Sequence, residues 1–219
     1  MNPAVIQLLV LAAIAVFLLL RLKSVLGTRD GFEPKIDTSA PPAPQKKNSF
    51  EVIEGGLDPD ITDHVEMDSD AGQAFVKMKA SEPDFTLEDF QGGARQAYEM
   101  ILMAFEGDDL ETLEQFLAPD VYESFASVIE ARQEAGYTVN ANFIGIREMK
   151  IMDGIFDPDT NEGEITMKFV GELVSFVEDA KGKVIEGSRD VIKRQTDVWT
   201  FAKTFGNDDP NWELVATGE

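Results

Sequence analysis

The chain has 219 residues, 43% of them hydrophobic, enough for one well-formed domain with extensions but not for two large ones. Its 41 aspartates and glutamates against 19 lysines and arginines give a formal net charge of −22, a balance that repels phosphate backbones, and the reading finds no basic stripe for nucleic acid. Cysteine is absent, which excludes disulfides, thiol catalysis and zinc–thiolate sites.

Residues 3–20 carry no charge, and Gln7 is the one strongly polar side chain after Asn2. At ~1.5 Å per residue this run spans roughly 27 Å as a helix, close to the ~30 Å hydrocarbon core of a bilayer. A cleaved secretory leader places its basic residues before the apolar run, whereas here Arg21, Lys23 and Arg29 follow it. The order predicts an uncleaved single-span anchor over 1–26. The basic flank, read by the positive-inside rule, puts the amino terminus outside and the remaining chain in the cytoplasm of a bacterial inner membrane.

Residues 27–83 lose the apolar pattern and read as a disordered linker. SAPPAPQKK at 39–47 is a stiff, extended spacer, and 54–70 is acidic and glycine-containing. His64, the only histidine, falls there and reads as solvated. A short helix is expected at 71–79, with Asp70 as its cap, Phe75 and Met78 on one side, and Lys77 and Lys79 near its carboxyl end.

The folded domain is expected over 84–219. Thr86-Leu-Glu-Asp89 has capping-box spacing and opens a helix over 87–105. Leu87, Phe90, Ala94, Ala97, Tyr98, Ile101, Ala104 and Phe105 make one apolar stripe along it. Gly107 stops it, Asp109 caps a second helix over 110–117, and Pro119 suits the first turn of a third over 120–135. Val121, Phe125, Val128, Ile129 and Arg132 are expected on the inner side of the third helix.

Four β runs follow, at 137–156, 164–178, 184–205 and 212–217, separated by DPDTNEG, DAKGK and a turn at 206–211. Ile165, Met167, Phe169, Leu173 and Val177 share a face by alternation; so do Trp199, Phe201 and Phe205, and Trp212, Leu214 and Ala216. Gly145, Gly154, Gly171 and Gly187 mark expected bulges or bends. Helices that precede an antiparallel sheet predict an α+β domain of three helices on a curved four-stranded sheet, wrapped into a cone.

Several stretches resemble the Tim44-like domain family, shared by the tether of the mitochondrial import motor and its alphaproteobacterial relatives. They are GARQAYEMI at 93–101, AFEGD at 104–108, LEQFLAPDVYESF at 113–125, and above all DVWTF at 197–201 with DPNWELVAT at 209–217. The anchor followed by LKSVLGTRDGFE at 22–33 is similar to the bacterial branch. The resemblance implies a nuclear-transport-factor-like cone and an inner-membrane adaptor. Its domain would bind a protein client, such as a translocase or chaperone component, or a lipid.

The residues themselves nominate a binding wall of Tyr98, Phe169, Trp199, Phe201 and Trp212, with Met100, Met103 and Met167 nearby in composition. The alternative is a membrane-tethered dehydratase or isomerase of the cone class. Its only candidates for acid–base work are Asp197, Tyr98 and Tyr137, because the predicted domain has no histidine. No cofactor and no metal are expected, and the adaptor is preferred to the enzyme. The charge order around residues 3–20 makes one outcome checkable: a reporter fused after Glu219 should be active only if it is of a type that works in the cytoplasm. Activity confined to the periplasm would reverse the orientation.

Overall fold

The computed structural model describes residues 58–207 and 209–218. The apolar run at 3–20, its flank of Arg21, Lys23 and Arg29, and the proline-rich spacer lie outside them. Among the described residues no helix is long and apolar enough to cross a membrane.

Among the described residues five helices precede the strands: α1 (Pro59–Thr62), α2 (Asp70–Ser81), α3 (Leu87–Glu106), α4 (Leu110–Phe116) and α5 (Pro119–Glu134). Five strands follow: β1 (Thr138–Asp157), β2 (Glu162–Glu178), β3 (Val184–Gly187), β4 (Lys193–Thr204) and β5 (Glu213–Gly218). They form one antiparallel sheet in the order β1-β2-β4-β5, with β3 paired to β2. The α+β class expected from the sequence is what the molecule has.

Local chemistry sets the helix ends. Thr86 Oγ1 accepts the Asp89 N–H at 3.0 Å, Asp109 Oδ1 accepts that of Thr112 at 3.1 Å, and Ser69 Oγ accepts that of Gly72 at 3.1 Å. Pro119 occupies the first turn of α5, where its missing N–H costs nothing. The stripe of α3 faces the sheet, with Leu87, Phe90, Ala94, Tyr98, Ile101 and Ala104 buried. On α5 only Val121 and Ile129 are buried; Val128, expected inside, is exposed.

Three expectations are corrected. The run at 184–205 is not one bent strand. β3 pairs with β2 at 176–178 and β4 pairs with it at 162–173, so the two lie end to end along one edge of β2. A register shift between Thr200 and Phe201 sets Leu214 opposite Phe201 and Ala216 opposite Thr200, which separates Ala216 from the face of Leu214. Gly145 does flank a bulge and Gly187 stands, at φ 73°, where β3 ends, but the other bends in β1 come at Arg147 and Met152, and Gly154 and Gly171 serve close approaches of aromatic rings instead.

The short helix expected at 71–79 is present as α2, but the larger correction concerns its surroundings, 58–83, which the sequence reads as linker. Ile61 of α1 and Phe75 and Met78 of α2 are fully buried in the same core as Tyr98 and Phe169. Phe75 lies so close to β1 that a Cβ added at Gly154 would stand 2.2 Å from its ring. Asp60 accepts the Leu87 N–H at 2.8 Å and the Glu88 N–H at 3.1 Å, capping α3 from a distance in sequence. Lys79 Nζ sits 2.6 Å from Asp58 and 2.8 Å from Asp60. Burial works against charge on Asp60, but the Lys79 ammonium and the two N–H groups outweigh it and hold its carboxyl below the ordinary range. His64 joins the same contact, with Gln91 Nε2 2.9 Å from its Nε2.

Burying Phe75 and Met78 is worth ~1.5–3 kcal/mol each, against the ~5–15 kcal/mol of a whole domain. A chain beginning at Asp58 should therefore melt in one cooperative transition, and one beginning at Glu82 should melt far lower or without cooperativity. Equal melting temperatures would show that α1 and α2 are dispensable.

Candidate functional site

Tyr98, Phe169, Trp199 and Phe201, nominated as a binding wall, are buried together. Tyr98 stacks on Phe169 with ring centroids 4.4 Å apart and 11° between planes, and Trp199 lies 4.8 Å from Tyr98 at a tilt. The stack needs Gly171, since a Cβ there would stand 2.6 Å from the Tyr98 hydroxyl oxygen. These rings fill the space between α3 and the sheet. All four are core; of them only Phe201 also lines the groove described below.

The two candidates for acid–base chemistry also meet. Tyr98 Oη donates to Asp197 Oδ2 at 2.6 Å, and Gln195 Nε2 donates to both carboxylate oxygens of Asp197 at 3.2 and 3.0 Å. Burial, reinforced by the Asp197 hydrogen bond and charge, pushes the Tyr98 phenol far above its ordinary range. A phenol held neutral beneath stacked rings is poorly placed to exchange protons with a substrate. Tyr137, the third candidate, is exposed at the start of β1 and sits with neither.

An open site lies at the other end of the aromatic column. Phe201 leads to Phe90 at 6.1 Å, Phe90 to Trp212 at 4.6 Å, and Trp212 to Phe85 at 6.0 Å. Trp212 is half-buried and just precedes β5, so it serves as a lip rather than a strand residue. Together with Met100 and Phe116, these rings line a groove of about 400 Å³ along α3. Gly93 forms part of its floor, and a Cβ there would meet no atom within 4 Å.

The rim is polar and mostly acidic: Glu82, Asp84 and Asp89. One cation stands among them. Lys203 Nζ donates to both oxygens of Glu82, at 2.9 and 3.0 Å, and lies 5.4 Å from the centroid of Phe205. Lys203 is only 8% exposed, and its ammonium is paired with the Glu82 carboxylate. Alternation carried the signal for it, because residues 199, 201, 203 and 205 share one side of the strand and an inward lysine requires an acid. Glu82, which caps the carboxyl end of α2, falls in the stretch the sequence reads as linker and carries no such signal. Phe85, Phe116 and Gly93 carried no sequence signal that set them apart from ordinary core or turn residues. Neither Tyr98 nor Asp197 lines the groove. Among the described residues no group of three or more acidic or histidine side chains is placed to hold a metal ion.

Comparison with known proteins agrees with the resemblance in the sequence. The family model for the Tim44-like domain matches residues 71–219, beginning inside α2. The chain is 22% identical over 172 residues to the mitochondrial import inner membrane translocase subunit TIM44-1 of Arabidopsis thaliana. The match takes in 77% of this chain and 36% of that protein, so the chain spans about a third of the relative's length. A crystal structure of the intermembrane-space region of the chloroplast protein ARC6 covers 57% of this chain and 94% of its own. It does so at 12% identity and a TM-score of 0.38, too loose a likeness to bear on the fold.

The joint between α3 and the sheet can be tested by a double-mutant cycle. Tyr98→Phe should cost ~1–3 kcal/mol by leaving Asp197 a hydrogen bond short. Gly171→Ala should cost ~1–3 kcal/mol by overpacking against the same hydroxyl. In urea melts the pair should then be less destabilised than the two changes added together, by roughly 0.5–3 kcal/mol. Strict additivity would mean that hydroxyl and glycine do not share one site.

Proposed function

The chain belongs to the Tim44-like domain family, and from that premise we propose that it is an inner-membrane adaptor whose domain holds an apolar segment of a protein client in the α3 groove. The observation that carries this reading is the pairing of a filled core with one adjoining apolar groove. The rings that would have lined an internal pocket are packed against each other. The column continues through the buried Phe90 and Phe85 to the half-buried Trp212, whose edges line the groove beside α3 that is left to meet a partner. Met100, a soft and adaptable side chain, is among the exposed large hydrophobic residues and lines the groove. The acidic rim favours a client segment that places basic residues around an apolar stretch.

In this reading the apolar run at 3–20 is the anchor, the domain lies in the cytoplasm as a nuclear-transport-factor-like cone, and the role is binding rather than catalysis. The relative's name, a translocase subunit, supports an adaptor of the same general kind. The enzyme reading gains nothing from the meeting of Tyr98 and Asp197, which are spent on joining α3 to β4.

Gly93 offers a clean test, because a large side chain there enters the groove without displacing any atom within 4 Å of the Cβ position. A photo-crosslinker at Met100, in the full chain in its native membrane, should capture a client polypeptide. The same probe at the exposed Met152 of β1 should not. Gly93→Trp should reduce capture at Met100 by about tenfold or more, the loss expected when an anchor pocket worth ~1.4 kcal/mol or more is filled. Its melting temperature should stay near that of the parent. Capture that survives Gly93→Trp would dissociate the groove from the client.

A further inference from the structure

Sulfur is spread unevenly between core and surface. Among the described residues Met78 and Met167 are fully buried, Met67, Met103 and Met149 are partly buried, and only Met100 and Met152 are exposed, at 42% and 48%. Met152 stands at a bulge of β1, outside the groove. Met100 lies on the stripe of α3 that faces the groove, in step with Gly93, Gln96 and Ala97 at intervals of three and four. It is the one methionine that lines the groove, and the lining is otherwise aromatic, small or polar.

The chain has no cysteine, so its thioethers are the sulfur groups that a mild two-electron oxidant meets. Exposure then selects among them. With hydrogen peroxide a lone pair of the Met100 sulfur attacks one peroxide oxygen. The S–O bond forms as the O–O bond breaks, the sulfur gives up two electrons, and proton transfer lets the second oxygen leave as water. The product is a sulfoxide, whose oxygen accepts hydrogen bonds. Reduction by a dithiol reverses the step: two thiols become a disulfide, and the oxygen departs as water.

The consequence depends on what covers the new oxygen. In the open groove water bonds to it, and the exposed position leaves the core unchanged. Beneath an apolar segment that water must leave, and the phenylalanines of the lining, Phe85, Phe90, Phe116 and Phe201, offer no donor in its place. The cost of oxidation therefore falls on the occupied groove and not on the fold.

We propose that Met100 is a redox modification site, and that its sulfoxide closes the groove to an apolar client until a dithiol reductant restores the thioether. Placement makes the switch. A leucine would supply similar apolar volume without this chemistry. Met152 is as open to oxidant but stands away from the groove, and the burial of Met78 and Met167 keeps mild oxidation out of the core. The inference rests on the client reading of the groove and adds the condition under which the client is refused.

The test uses the full chain in its native membrane, with a photo-crosslinker at Gln96, an exposed residue of the groove. Membranes are treated with dilute hydrogen peroxide and quenched, and capture and peptide masses are read from the same sample. Met100 and Met152 should convert about fivefold faster than Met78 and Met167, or more. Capture should fall about tenfold as Met100 converts, and should return after treatment with methionine sulfoxide reductases for both epimers. Met152→Leu should respond as the parent does. Met100→Leu, whatever its own starting level, should capture equally before and after peroxide. Capture that persists with Met100 fully converted overturns this inference and leaves the client reading standing. An equal loss in Met100→Leu, or conversion of Met100 no faster than that of Met78, also overturns it. Absence of capture from Gln96 in untreated membranes overturns the client reading itself, and this inference with it.

Discussion

One contact fixes how helix and sheet sit: the ring of Tyr98 lying flat on Phe169 above Gly171, with its hydroxyl tied to Asp197. A residue with a side chain at 171 would lift the ring, and a phenylalanine at 98 would leave the Asp197 carboxylate with Gln195 alone. Everything that follows along α3 depends on that height. Trp199 can reach Tyr98, Phe201 can reach Phe90, and Phe90 can meet Trp212 only while the helix rides at this distance from the strands. The joint thus couples a buried hydrogen bond to the position of the groove wall, and does so with groups that sequence alone would also have nominated for catalysis.

Charge is distributed with the same economy. Two carboxylates and one ammonium, Asp58, Asp60 and Lys79, fasten the first two helices to the amino end of α3, where the helix dipole favours an acid. Lys203 is paired with the Glu82 carboxylate. Lysines without an ion pair among the described residues are Lys181, Lys183 and Lys193 near β3, with Lys77 and Lys150 elsewhere. A strongly acidic chain therefore offers an apolar groove with an acidic rim.

The limits of the sequence can be traced residue by residue. Helix starts were legible because a cap is a local event: Thr86 and Asp109 each bond an N–H three residues on. The inward faces of β2 and of the first part of β4 were legible because the side-chain period in a strand is two. The family was legible from short runs such as DVWTF and DPNWELVAT, which keep both residue type and spacing. The β3–β4 break was not, because continuous β-formers on one strand do not report where the neighbouring strand stops pairing.

By itself, then, the sequence determined the α+β class, the order of helices before strands, the family, and the partition of most of the core, all of which follow from periodicity and nearest-neighbour chemistry. Only the tertiary structure decided three things. It turned 58–81 from acidic linker into packed helices, because Phe75 and Met78 find their partners on β1 and β2, some eighty residues later. It packed Tyr98, Phe169 and Trp199 into a filled core and left Phe201, Phe85, Phe90 and Trp212 to line the groove, because a ring's neighbours across elements, not its own type, decide what covers it. And it broke 184–205 into two strands, since where β2 stops pairing with β4 and starts pairing with β3 is a property of the folded sheet.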